Sequence, residues 1–288
     1  MRRFFLSVVA ILAALRAGAD PSCAPVAITT APEIETGFRL LYQLKFPEAR
    51  ERFAAWEKAH PDDPLGSASE AASYLFEEFY RHGVLTSEFF LDDKRLLGGI
   101  KGKPDEGHRT AFNAANQRAQ KLARRRLKAN PRDGDALFAL TISTGMQADY
   151  AGLIEKRQFE SLRLVREAEG YAKNLLAIAP DSADAYLALG AANYIISCLP
   201  GYKRFFLFFG GIHGDKVSGM KQLDMCATHG HYLRPFAKIL LALAALREKQ
   251  VDLARTQLRE LNAEFPQNPL FQRELAKLQK PGATATSP

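Results

Sequence analysis

The sequence predicts an all-α fold, arranged as a right-handed solenoid of antiparallel helix pairs. Apolar residues recur at helical spacing through almost all of the chain between residues 33 and 280. Four charged amphipathic runs also end in a proline at a turn, and each is soon followed by a new helix-starting sequence. Helical hairpins repeated in this way stack against their neighbours and form one elongated body. The four prolines are Pro61, Pro131, Pro180 and Pro266.

The N-terminus has the features of a secretory signal peptide, which we assign to residues 1–19. Two arginines precede an apolar run at residues 4–15, and small residues form a cleavage site after Ala19. The apolar run is about a dozen residues long, whereas a membrane-spanning helix needs about 20. We therefore expect export to the periplasm or cell envelope. An uncleaved membrane anchor and lipid attachment at Cys23 are the alternatives.

The charge of the chain is mildly basic. Loss of the predicted signal peptide leaves 36 of the 39 basic residues against 32 acidic ones, so the net charge falls from +7 to +4. This weak excess argues against nucleic acid as a partner and is compatible with contact to an anionic surface.

The mature chain is predicted to contain a single folded domain. Residues 20–32 are proline-rich and lack a period, which indicates a linker, and residues 281–288 are a low-complexity, disordered tail. The solenoid then covers residues 33–280. The three cysteines are too few for a disulfide framework. Cys198 and Cys226 lie at opposite ends of one predicted hairpin, so a disulfide between them requires the intervening loop to fold back.

The helices are predicted in order from their apolar faces. The first pair consists of two helices separated by a turn at residues 45–47. The apolar face of its first helix comprises Ile34, Phe38, Leu41 and Leu44, and that of its second helix comprises Ala49, Phe53 and Trp56. Three middle pairs follow, at residues 65–80 with 108–129, 134–150 with 159–178, and 183–197 with 215–229. The last pair carries Leu241, Ala242 and Ala245 on its first helix, and Ala254, Leu258 and Leu261 on its second.

The first and last pairs resemble the tetratricopeptide repeat, a helix-turn-helix unit of about 34 residues. In the first pair the matching residues are Gly37, where the two helices approach closely, Ala49, Phe53 and Pro61. The last pair matches through its apolar residues and Pro266, and residues 185–190 resemble the start of a repeat. The resemblance implies a non-catalytic scaffold that binds a protein or peptide in a concave groove, without a cofactor.

The middle pairs depart from this family because the turns within them are much longer. Two of these insertions resemble each other: Phe89-Phe90-Leu91 followed by glycines at 98–102, and Phe205-Phe206-Leu207 followed by glycines at 210–214. The region from about Phe205 to the helix after Pro235 also resembles the eukaryotic tetratricopeptide family linked to inclusion-body clearance and the mitochondrial outer membrane. Insertions in solenoids emerge on one edge, where binding features are often built.

Candidate partner-binding residues lie on the first helices of the pairs. Tyrosine and asparagine offer contact area together with hydrogen-bonding groups, although the same residues also occur buried between hairpins. The candidates are Tyr42, Tyr74, Tyr80, Tyr150, Tyr186, Asn193 and Tyr194.

The second insertion contains an aromatic stretch with adjacent basic residues, which is typical of contact with a membrane interface. The alternative is that its phenylalanines fold back between neighbouring hairpins, because large exposed apolar patches are uncommon on soluble proteins. The stretch comprises Tyr202, Lys203, Arg204, Phe205, Phe206, Leu207, Phe208 and Phe209.

No motif predicts catalysis or metal binding. The sequence lacks G-x-S-x-G, H-E-x-x-H and the nucleotide-binding pattern G-x-x-x-x-G-K-[ST]. Glycine runs such as residues 98–102 are expected to form turns with positive φ. The carboxylate pair Glu77-Glu78 is expected to be solvated. His213, Asp215 and Cys226 lie near His229 and His231 in sequence, but about four helical turns, roughly 20 Å, separate the two ends of this group.

Overall fold

The computed structural model describes residues 31–201 and 213–279, and these residues are all-helical, without a strand. The helices of the first half are α1 (Pro32–Tyr42), α2 (Phe46–Ala59), α3 (Pro64–Arg81), α4 (Ser87–Phe90), α5 (Asp93–Gly98) and α6 (Glu106–Ala129). Those of the second half are α7 (Gly134–Asp149), α8 (Gln158–Ile178), α9 (Tyr186–Ser197), α10 (Lys216–His229), α11 (Arg234–Arg247), α12 (Val251–Glu264) and α13 (Pro269–Gln279).

Aspartates fix the starts of several helices, because each accepts a backbone N–H that has no partner within the helix. Asp63 caps α3 through the Leu65 N–H at 2.9 Å. Asp105 and Asp133 cap α6 and α7 in the same way, also at 2.9 Å. Asp215 caps α10 at 2.6 Å. The turns predicted at Pro61 and Pro131 are confirmed, since α3 and α7 begin just after them.

The helices pair in antiparallel fashion, as the contacts between α3 and α6 demonstrate. His108, near the start of α6, contacts Glu78 near the end of α3, whereas Arg118 further along α6 pairs with Glu70 nearer the start of α3. Pairs α1/α2, α3/α6, α7/α8, α9/α10 and α11/α12 pack in this order, and each also contacts the next. The first helices form a second series of contacts, from α1 to α3, α7, α9 and α11.

Glycines allow the closest approaches within two pairs. A β-carbon at Gly37 would lie 2.2 Å from the Phe53 ring, which confirms the close approach predicted there. A β-carbon at Gly190 would lie 2.7 Å from the backbone nitrogen of Leu223, and one at Gly219 would lie 2.7 Å from that of Tyr194. Because backbone atoms cannot move aside as flexible side chains do, α9 and α10 require these two glycines for their spacing.

A buried carboxylate joins the fourth and fifth pairs. Asp184 accepts the backbone N–H groups of His231, Tyr232 and Leu233 at 2.8, 3.0 and 3.0 Å, just before α11 begins. Burial raises the pKa of Asp184, while the three N–H donors act in the opposite direction by stabilising the carboxylate. Asp184 therefore connects the turn before α9 to the start of α11.

The first pair also contacts the fifth pair directly. The Tyr232 hydroxyl accepts the Ala31 N–H at 2.8 Å, and the Tyr42 hydroxyl donates to the Tyr232 carbonyl at 3.1 Å. Asn268, after α12, donates to the Tyr42 carbonyl at 2.8 Å. The Phe38 ring lies 5.5 Å from the Tyr232 ring. At this level, side chains fill the space between the first helices.

Several features differ from the sequence predictions. The short helices α4 and α5 and the terminal helix α13 were not predicted, and α7 continues into a π-helical turn, Tyr150–Ile154. Leu44 lies after α1 with a positive φ of 64° and is not part of the α1 apolar face. Two residues assigned to the linker belong to the folded domain: Ala31 is buried, and Pro32 is the first residue of α1. The signal peptide, the rest of the linker and the predicted tail lie outside the described residues.

Candidate docking surface

The first helix of each pair ends, and the second begins, on one side of the protein, which we call the junction edge. In the second pair these ends are Arg81 and Glu106, and in the third they are Ile154 and Gln158. Residues 83–104, between α3 and α6, lie along this edge and are called the cover segment. The cover segment includes α4 and α5.

The cover segment is held to the third pair by backbone contacts. Ile100 donates its N–H to the Leu153 carbonyl at 2.8 Å, and the Gln158 amide donates to the Leu97 carbonyl at 3.3 Å. Gly99 has a φ of 74°, and a β-carbon there would lie 2.3 Å from the Leu153 oxygen. Gly102 also has a positive φ, 92°. The prediction of positive-φ turns at these glycines is confirmed.

The cover segment also reaches the fourth and fifth pairs and α13. The rings of Phe90 and Tyr194 are nearly parallel, with centroids 6.4 Å apart. Arg247 donates to the Phe90 carbonyl at 3.0 Å and pairs with Asp93. Lys277 on α13 pairs with Glu88 at 2.5 Å. One segment of about 20 residues thus contacts helices from three pairs and α13.

Both ends of the cover segment are tied to Glu78, whose side chain is 0% exposed. His82, just before the segment, lies 2.9 Å from Glu78 Oε1, and Asp105, just after it, donates its N–H to the same oxygen at 3.2 Å. Arg81 donates to Oε2 at 3.0 Å, and His108 Nδ1 lies 3.5 Å from Oε2. A buried carboxylate needs such partners, because an unpaired one is strongly destabilising.

The prediction that Glu77-Glu78 is a solvated pair is wrong for Glu78. The signal available in the sequence was His82, four residues later and therefore on the same face of the helix as Glu78. His108 and Asp105 could not have been assigned to this group, because only the folded chain brings α6 against α3. Glu77 is partly exposed and pairs with Arg50 at 2.6 Å.

Large exposed apolar side chains concentrate on the junction edge. Among the described residues they are Tyr80 (38% exposed), Leu91 (45%), Phe159 (92%) and Val217 (77%). Tyr80 is the penultimate residue of α3, and Leu91 directly follows α4. Phe159 and Val217 are the second residues of α8 and α10. A nearly fully exposed phenylalanine forfeits the free energy that burial would supply, about 2–3 kcal/mol.

Basic side chains also lie on the junction edge. Lys94, Lys101 and Lys103 are exposed on the cover segment, and Lys156 is exposed after the π-helical turn. Lys216, beside Val217, pairs with Glu248 at 2.8 Å. The junction edge therefore combines apolar and cationic groups.

Three of the predicted partner-binding residues are buried and form part of the helix packing: Tyr42 and Tyr150 are 3% exposed, and Tyr194 is 1% exposed. Burial raises the pKa of all three hydroxyls, because it disfavours the phenolate. These side chains are not open to a partner.

The other four predicted residues reach the surface. Tyr80 is exposed, and Tyr74 and Tyr186 are half-buried. The Arg50 guanidinium lies 4.7 Å from the Tyr74 ring centroid. Asn193 is half-buried and donates to Gln222 at 2.8 Å. Of these four, only Tyr80 lies at the junction edge.

The predicted membrane-contact residues 202–209 lie outside the described residues, so their environment is not part of the structure. Gly201 and His213, on either side of the gap, follow α9 and precede α10 at the junction edge. The counterparts of the aromatic stretch in the cover segment, Phe89 and Phe90, are buried at 3% and 6% exposure.

The cysteines and histidines considered as ligands make separate contacts. Cys198 is half-buried and Cys226 is buried, and neither forms a disulfide. The backbone N–H of His231 binds Asp184, and its side chain pairs with Glu35. Across residues 31–201 and 213–279, no group of three or more such side chains is arranged to hold a metal ion. In the same ranges no helix has the length and apolarity needed to cross a bilayer.

In comparisons with known proteins, no family model and no curated protein matched the chain.

Proposed function

We propose that this protein is an exported, non-catalytic scaffold of the tetratricopeptide type, which binds a protein partner on its junction edge. The successive contacts of first helices, from α1 through α3, α7 and α9 to α11, support a solenoid arrangement. The buried carboxylates Glu78 and Asp184 are both occupied by structural hydrogen bonds, which supports a binding role over catalysis.

The single observation that carries this proposal is the location of the exposed apolar side chains. Phe159 and Val217 are the two most exposed large apolar residues described, and both start second helices at the junction edge. Aromatic and aliphatic side chains that enter a partner's pockets account for most of the binding energy at many interfaces. The junction edge therefore supplies anchors that do not have to be released from the core before binding.

The junction edge is better suited to a partner than the inner sides of the first helices. Tyr42 and Tyr232 contact each other there, and the Phe76 and Phe236 rings lie 4.8 Å apart. A ligand in this region would have to separate packed aromatic rings, at a cost of about 0.5–1.5 kcal/mol for each pair beyond the area exposed. Partner binding at the edge requires no such separation.

A pull-down from the native envelope fraction tests the proposal. We expect the mature wild-type chain to capture a protein partner that the Phe159→Ser/Val217→Ser variant captures at least about ten-fold less efficiently. Lys58→Ser is the surface control, because Lys58 is exposed and lies away from the junction edge. Equal capture by the wild type and the double variant would rule out the proposed surface.

A second function, contact with anionic membrane lipid, is favoured by one specific observation. The exposed lysines Lys94 and Lys156 lie three residues from Leu91 and Phe159 on the junction edge, where Gly201 and His213 are also found. Lysines near an anionic surface contribute about 1 kcal/mol each. Co-sedimentation with phosphatidylglycerol vesicles, compared with phosphatidylcholine vesicles, tests this function. We expect binding to the anionic vesicles to fall in Phe205→Ser/Phe208→Ser, and equal partitioning of wild type and variant would eliminate lipid contact.

A further inference from the structure

The cover segment includes a short peptide that is docked on other helices much as a ligand would be. Residues 87–93 have the sequence Ser-Glu-Phe-Phe-Leu-Asp-Asp. Phe89 and Phe90 are buried, whereas Leu91 between them and the aspartates is 45% exposed. The helices that receive this peptide, α9, α11 and α13, belong to the distant second half of the chain.

The receiving helices recognise both the backbone and the charges of this peptide. Arg247 donates to the Phe90 carbonyl at 3.0 Å and also pairs with the Asp93 carboxylate. Lys277 lies 2.5 Å from Glu88 and 3.3 Å from the Ser87 hydroxyl. Glu88 and Asp93, on the two sides of the phenylalanines, thus pair with basic residues of α13 and α11.

The receiving surface also has an apolar part. Tyr194 on α9 lies parallel to Phe90. Leu85, at the start of the cover segment, lines a narrow cleft between α11, α12 and α13 whose walls are almost entirely apolar. The other residues of the cleft are Ile239, Ala242, Leu243, Leu246, Leu258, Leu270, Phe271 and Glu274.

We propose that residues 87–93 are a built-in occupant of a peptide-binding site formed by α9, α11 and α13. The site then takes, from another protein, a peptide of the same chemistry: two adjacent aromatic residues with carboxylates on both sides. The two anchors proposed for the junction edge, Phe159 and Val217, lie on α8 and α10 and are not part of this second site, so the proposal does not depend on partner binding there.

Glu78 controls how readily the built-in occupant leaves. Its carboxylate ties His82 and Asp105, the two residues that flank the cover segment, to α3. Loss of this tie lets the segment move away while α3 and α6 stay packed. A competing peptide then meets a larger fraction of chains with a free site, and its apparent affinity rises in proportion to that fraction.

The experiment measures binding of a fluorescent peptide with the sequence of residues 86–94 by anisotropy. The proteins compared are the wild type, Phe89→Ser/Phe90→Ser, which removes the aromatic occupant, and Glu78→Gln, which weakens the tie. Glu77→Gln is the matched control, because Glu77 is the adjacent, partly exposed carboxylate. A control peptide carries serine in place of both phenylalanines.

We expect the peptide to bind Phe89→Ser/Phe90→Ser and Glu78→Gln at least about ten-fold more tightly than wild type or Glu77→Gln. The control peptide should not bind, and Lys277→Ala should weaken binding. With wild type, excess peptide should raise hydrogen exchange in residues 83–104, a measurement that remains informative if a variant does not fold. The proposal is overturned if the peptide neither binds the folded variants nor changes exchange in wild type, or if the control peptide binds equally well.

Discussion

The hydroxyl of Tyr42 donates a hydrogen bond to the carbonyl of Tyr232, 190 positions further along the chain. Tyr42 lies at the end of α1 and Tyr232 just before α11, so this bond joins the first and fifth helix pairs. The Phe38–Tyr232 ring contact and the Asn268–Tyr42 hydrogen bond join the same distant regions. Contacts between distant pairs set the relative positions of the ends of the helical array, so their loss should be felt throughout the domain.

Tyr42→Phe removes this buried hydrogen bond and leaves the ring in place. We expect the free energy of unfolding to fall by about 1 kcal/mol, the usual net contribution of one such bond. Urea denaturation of both proteins measures the difference. Tyr80→Phe is the control, because Tyr80 is exposed, and a comparable loss in that variant would show that the bond has no particular importance.

Asp184→Ala should cost more than Tyr42→Phe, because Asp184 accepts three backbone N–H groups. We expect a loss of about 3 kcal/mol or more, with the turn before α11 exchanging its amide hydrogens faster. Thermal melting and hydrogen exchange check this. Asp181→Ala, in the exposed turn nearby, serves as the control. An unchanged melting temperature for Asp184→Ala would contradict the connecting role of the carboxylate.

Gly37→Ala and Gly145→Ala should have opposite effects. A β-carbon at Gly37 meets the Phe53 ring at 2.2 Å, so we expect a loss of about 1–3 kcal/mol from overpacking. A β-carbon at Gly145, within α7, meets no atom within 4 Å, and alanine there should add about 0.5–1 kcal/mol through its helix propensity. Urea denaturation of both variants and of wild type measures these changes. A rise in the denaturation midpoint for both variants would refute the packing assigned to Gly37.

Asp149 gives the protein a specific pH dependence. Burial raises the pKa of this half-buried carboxyl from 3.8 to about 7. The folded state therefore holds a proton that the unfolded state releases, and the contribution of Asp149 to stability falls as pH rises from about 4 to about 7. We expect Asp149→Asn to be more stable than wild type at pH 8 by about 1–3 kcal/mol, with little difference at pH 4. Urea unfolding at both pH values measures this, and equal gains at both would contradict the shifted pKa.

The sequence predicted the long helices well because each has many turns of helical period and a marked start or end. The pairs α3/α6, α7/α8 and α9/α10 lie within a few residues of the predicted ranges. The N-cap aspartates and the prolines act locally, so their effect can be read without knowledge of the fold.

The candidate site was harder to predict because it depends on contacts between distant residues. An apolar triplet such as Phe89-Phe90-Leu91 does not reveal that two members are buried and the third is exposed. Glu78 looks like one of a pair of surface carboxylates until α6 brings His108 and Asp105 beside it. The exposure of Phe159 was not predicted, although its spacing carries a signal: it shares a helix face with the exposed Arg163 and Arg166 and not with the buried Leu164.

The docking role of the junction edge is tested most directly by photo-crosslinking in the native envelope. A photoreactive amino acid at position 159 or 217 should crosslink to one and the same partner protein, while the same group at Asp62, which is exposed in the turn between the first and second pairs, should not. Crosslinks to that partner from position 62 but not from positions 159 and 217 would contradict the account.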